Sequence, residues 1–214
     1  MGLAISVGAL ADLLRADPEG AEWLEGGLAA ANALLASAGQ PPHVEPRSLP
    51  RLAPRVGLGS MPYSFLHYLR RAYARQAKDA QWMATPLADG DDPANNPALE
   101  EQSESLGSHL VCHSDAEGFY LPIDFPDPLF ADSPESDVPG GIVGSSQRLL
   151  AELVLVAPAL GITLREGQLS DAEADRIDGL ASSEEGLHRE LSSWLALFEA
   201  ARLSVENKTA VVFS

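Results

Sequence analysis

Between Arg47 and Lys78 the sequence holds seven basic residues and no acidic one, and from Asp79 to Gln147 it holds fourteen acidic residues and no Lys or Arg. This layout limits the fold more than any other feature, because a charge is costly to bury unpaired: each carboxylate must meet water, a cation or a partner. In one arrangement the two blocks face each other, with Arg70, Arg71 and Arg75 pairing with downstream carboxylates. In the other the acidic block lines the surface. Seven cations cannot neutralise fourteen anions, so an acidic exterior is expected either way.

Over the whole chain 31 Asp and Glu stand against 14 Lys and Arg, a formal net charge of −17. Such a surface repels phosphate backbones, since nucleic-acid affinity comes largely from Lys and Arg displacing counterions. The same repulsion disfavours anionic membranes. The expected partner is therefore a basic protein, with no nucleic acid and no membrane. Complementary fields would speed the encounter and suppress wrong partners.

At 214 residues the chain can bury a core as one domain without staples. Its single cysteine, Cys112, excludes an intrachain disulfide and fits a reducing compartment. The amino end has no basic start before its apolar stretch, so no secretory leader is read there. The longest apolar run, Leu149 to Leu160, contains Glu152 and Pro158 and is far short of the roughly 20 residues of a membrane span. A cytoplasmic location is the expectation.

The elements follow from caps and periodicity. Asp17 and Pro18 open a helix that Gly39 closes. Residues 40–62 carry six prolines and read as an ordered loop. A second helix is expected from about Ser60 to Trp82, with an apolar stripe through Phe65, Leu66, Leu69, Tyr73 and Ala77. Acidic loops at 84–97 and 125–144 flank a short helix at 98–105 and a β-rich segment. That segment reads as a hairpin at about 108–124, turning at Ser114 to Gly118. Ser145 or Ser146 caps a strongly apolar helix that Pro158 and Gly161 end, and capping boxes at Ser170/Glu173 and Ser182/Glu185 start two more. A strand at 209–213 needs a partner, and the hairpin is the nearest. The expected fold is thus α+β: a single, predominantly helical domain over 1–214 with a small antiparallel sheet. The three tryptophans, Trp23, Trp82 and Trp194, read as core.

No residue constellation demands a particular reaction. For binding, the hairpin and its flank offer Asp115, Glu117, Asp124 and Asp127, as an immunity- or antitoxin-like inhibitor would use them. The second reading is a small hydrolase-type enzyme, for which His113 with Asp115, or His67 near Tyr63, would supply a base with a carboxylate partner. A structural or oligomer-forming domain is the third. His109, Cys112 and His113 resemble zinc ligands in type, but on a strand the histidines stand about 13 Å apart at about 3.3 Å per residue, with Cys112 on the other face. No metal and no cofactor are expected.

Overall fold

The computed structural model describes residues 2–88, 90–133 and 135–214. In chain order its elements are β1 (Leu3–Val7), α1 (Ala9–Ala16), α2 (Pro18–Ser37), β2 (Ser60–Met61), α3 (Ser64–Lys78), α4 (Pro97–Ser105), α5 (His109–Cys112), β3 (Gly118–Leu121), β4 (Leu129–Phe130), β5 (Ile142–Ser145), α6 (Ser146–Val156), α7 (Asp171–Ser182), α8 (His188–Asn207) and β6 (Val211–Phe213). The fold class is the expected one, α+β and mostly helical.

The strands form one sheet in the order β2-β1-β6-β3-β5-β4. Successive side chains of a strand point to opposite faces, and both faces here are apolar. Leu3, Ile5, Val7, Tyr120, Val211 and Phe213 pack in the core beneath α3, α6 and α8. Phe119, Leu121, Val143 and Val212 pack on the opposite side, against Leu24, Leu28 and Leu35 of α2. The sheet is therefore a middle layer, buried by helices on both sides.

Two details of the expected sheet are corrected. It is mixed, because β3 and β5 run parallel, Tyr120 opposite Gly144, while the other pairs are antiparallel. The first arm of the expected hairpin is the helical turn α5. Ser108 caps that turn, its hydroxyl accepting from the Val111 amide, and the Glu152 carboxylate of α6 accepts from the amides of His109 and Leu110 at 2.9 and 2.6 Å. Three end amides are thus satisfied without a strand partner. A four-residue apolar run is read equally well as a buried strand or a buried turn, and only the distant Glu152 decides. The terminal strand β6 pairs with β1 and with β3, the hairpin's second arm.

Glycine is required in the sheet at Gly144. A Cβ on Gly144 would lie 2.3 Å from the Tyr120 ring, which needs that space to reach the core. There the Tyr120 hydroxyl donates to the His109 carbonyl at 2.9 Å. The proline-rich loop is pinned at His43, whose amide and carbonyl both bond the Asn32 side chain. Glu45 fixes it further, its buried carboxylate accepting from the Ala210 amide at 2.8 Å and from the Thr209 hydroxyl. Among the described residues no helix is long and apolar enough to cross a membrane.

Candidate functional site

The carboxylates named from sequence divide into two pairs at opposite ends of β3. Asp115 and Glu117 precede the strand, and Asp124 and Asp127 follow it. Asp127 comes close to Gly107 at the end of α4, and the neighbouring Pro126 carbonyl faces His109 Nε2 at 3.2 Å. Asp115 accepts from Arg70 and lies 3.3 Å from His67 Nε2. Asp124 accepts from Arg148 at 2.6 Å. Glu117 and Asp127 are exposed, with no cation within 4.0 Å among the described residues.

Among the described residues the second helix does not neutralise the acidic block. Of its three arginines only Arg70 reaches one of these carboxylates. Its guanidinium also donates to the carbonyls of Leu110 and His113, at 2.8 and 2.7 Å, clasping α5 and the approach to β3. Arg71 is buried and donates to the Thr85 carbonyl, and burial lowers its pKa. Arg75 lies over the Trp82 ring, 5.5 Å from its centre. Most other cations are drawn elsewhere: Arg55 to the buried Glu199 and to Asp171, Arg202 to Glu199 and Glu206, Arg176 to Glu173, Lys78 to Glu101, while Arg51, Arg165 and Lys208 have no carboxylate within 4.0 Å among the described residues.

Exposed carboxylates without a cation therefore recur across the described surface: Glu19 and Glu22 on α2, Glu100 and Glu104 on α4, Asp175 and Asp178 on α7, and Asp132, Glu135 and Asp137 between β4 and β5. On α7 the spacing is set by the helix. Asp171, Asp175 and Asp178 share a face within about 10 Å, at about 1.5 Å per residue, and Arg55 pairs with Asp171 at 2.8 Å, leaving the other two bare. Reading the acidic block alone misses the contributions of α2 and α7, although the i, i+4, i+7 pattern on α7 is visible in the sequence.

The groups proposed for catalysis sit in different surroundings. His113 is buried, stacked on Tyr120 with ring centres 4.0 Å apart, and its nitrogens face the carbonyls of Ser114 and Phe119 at 3.0 and 3.1 Å. Burial outweighs those carbonyls and lowers its pKa to about 4, so the ring is neutral and closed to solvent. His67 is part-exposed beside Asp115, a base with its carboxylate. Among the described residues no hydroxyl or thiol is hydrogen-bonded to it.

His109 and Cys112 lie on a helical turn, not on the expected strand. His109 Nδ1 accepts from the Ser145 amide at 2.9 Å and Nε2 faces Pro126, so backbone occupies both ring nitrogens, and burial lowers the pKa to about 4. The Cys112 thiol is pushed up by burial. Glu152, which holds the turn, is raised to about 7, also by burial.

A family described as "Putative DNA-mimic protein" matches residues 1–213. The chain belongs to this family. Curated proteins and solved structures give no match. Membership in the DNA-mimic family makes the chain an acidic protein of the protein-binding type. It also corrects the partner expectation, which named a basic protein and set nucleic acid aside. A DNA mimic presents itself in place of DNA, so the partner class is DNA-binding proteins, and nucleic acid enters the function as the ligand being copied. A surface of this net charge repels phosphate because it resembles phosphate, and that resemblance is the property a DNA mimic presents.

Proposed function

We propose that this chain occupies the DNA-binding surface of a DNA-binding protein, its bare carboxylates taking the places of backbone phosphates. The observation that carries this reading is the set of exposed carboxylates left without cations on helices and strand ends, while most arginines are engaged in the interior or in other pairs. DNA-binding proteins draw much of their affinity from Lys and Arg aimed at a regular line of negative charge. Carboxylates fixed by secondary structure offer such a line without the entropy of ordering a flexible acidic tail. Within the 108–127 region the proposed contacts are Glu117 and Asp127 as bare charges, with Asp115 and Asp124 offered through ion pairs. The narrower form is an inhibitor, immunity- or antitoxin-like, that blocks its target's access to DNA.

The test is displacement from DNA. DNA-binding proteins from a lysate of the source organism are loaded on DNA-cellulose and eluted with this protein, with polyglutamate of equal total charge, or with the Glu117→Lys/Asp127→Lys variant. A specific protein should elute with the wild type alone, and once purified it should lose a labelled duplex as this protein is added. Elution no better than with polyglutamate would refute specific mimicry.

A further inference from the structure

A groove of about 480 Å³ runs between α2 and the segment joining β4 to β5. Its floor is apolar: Ala30, Ala33 and Leu34 from α2, with Ala131 and Val138 opposite. Its rim carries Asp132, Glu135 and Asp137, all exposed. Trp23 lies seven residues before Ala30, two helical turns along the same face, and is 56% exposed rather than in the core as the sequence suggests. Phe130, on the edge strand β4 beside the groove, is also exposed. Exposed tryptophan next to a small-residue floor is the composition of an interface centre, where aromatic anchors dominate binding.

The charges decide what can lie there. Neither α2 nor residues 125–147 contain a Lys or Arg, and among the described residues no cation lies within 4.0 Å of the rim carboxylates. An uncharged segment would bury three carboxylates unpaired, which is costly. A second copy of this chain brings a net charge of −17 to the same face and is repelled. What fits is an amphipathic helix with one apolar side and Lys or Arg flanking it, the helix-in-groove mode of recognition.

We infer that this groove receives an amphipathic, Lys/Arg-bearing helix of the DNA-binding partner, its apolar side on Ala30, Ala33, Leu34 and Val138 and its cations on Asp132, Glu135 and Asp137. The inference rests on the mimicry reading and names the element of the partner that is seized. A DNA-reading helix is built for such a site, since its cations are placed to flank a surface that enters a negatively lined groove.

The test uses the eluted partner and its labelled duplex. Ala33→Trp fills the groove from an exposed position, and Asp132→Asn/Glu135→Gln/Asp137→Asn removes the rim charge. Asp12→Asn/Glu206→Gln, which removes two carboxylates already paired with Arg15 and Arg202, is the control, and all three variants are checked for wild-type circular dichroism and melting. Ala33→Trp and the triple variant should each need at least tenfold more protein to release the duplex, with the control within twofold. If wild type releases the duplex and both groove variants do so equally well, the groove proposal is overturned while mimicry stands. If wild type releases nothing, the mimicry reading fails and takes the groove with it. A dimer of this chain at 10 µM that Ala33→Trp abolishes would assign the groove to a second copy and overturn the proposal.

Discussion

Replacing Arg70 separates two roles that its contacts combine. The guanidinium donates to the buried carbonyls of Leu110 and His113 and pairs with Asp115, whose side chain is 35% exposed against 7% for Arg70. Arg70→Met fills much of the same space but leaves both carbonyls without a donor. An orphaned buried acceptor costs about 1–3 kcal/mol, so the loss should be about 2–6 kcal/mol. Asp115→Asn keeps an oxygen facing Arg70 and removes only a part-exposed charge, which is worth about 1 kcal/mol once solvent screening is counted. With a urea m-value of about 2 kcal/mol/M, the midpoint should fall by about 1–3 M for Arg70→Met and by about 0.5 M for Asp115→Asn, with m unchanged. Equal losses in the two variants would refute the reasoning. Arg70 would then act chiefly as a counter-ion for the acidic block, and the case for uncompensated surface charge would weaken with it.

Other outcomes follow from the interior. His109 and His113, each lowered from 6.5 to about 4, are neutral in the fold, so unfolded chains take up protons first and stability should fall as pH drops from about 6.5 to 4. Glu152, raised from 4.5 to about 7, acts in the opposite sense, its folded form favoured as pH drops from about 7 to 4.5. Two groups outweigh one, leaving a net loss on the order of 3 kcal/mol, checked by urea midpoints between pH 7.5 and 4.5 and by two histidine ring signals that do not titrate above pH 5. Gly144→Ala should cost about 1–3 kcal/mol by overpacking against Tyr120, read as a lowered melting temperature. Glu45→Ala removes the acceptor of the Thr209 hydroxyl and Ala210 amide and should lower the urea midpoint while opening residues 46–59 to limited proteolysis.

Local signals in the sequence located the elements whose ends are made by neighbouring residues. Asp17 caps α2, Ser145 caps α6 and Ser170 caps α7, each accepting an amide within three positions. The Ser182/Glu185 box failed because α7 runs through Ser182. The Ser183 hydroxyl takes the Glu185 amide instead, and α8 starts only at His188, beyond Gly186 at a φ of 61°. Strand β1 carries no local signal of its own: five residues of Leu, Ala, Ile, Ser and Val become a strand because β6 and β2 lie beside them. The second helix begins at Ser64, later than expected, because Ser60 and Met61 pair with β1.

The acidic character of the site was legible, since charge is a property of the residues themselves. Which carboxylates stay bare was not. Arg55 finds Glu199, 144 positions away, and Arg70 divides itself between two carbonyls and one acid. The exposure of Trp23 was equally hidden, because its helical spacing fits packing as well as display. It depends on α2 burying the neighbouring stripe through Leu24, Leu28 and Leu35.

Mimicry means that protein and duplex cannot share one binding surface. The most direct measurement mixes the purified partner with a labelled duplex, adds this protein stepwise, and follows duplex release and particle mass together. Stoichiometric release with a binary protein complex as the product is the result expected here. A stable particle holding partner, duplex and this protein at once would contradict it.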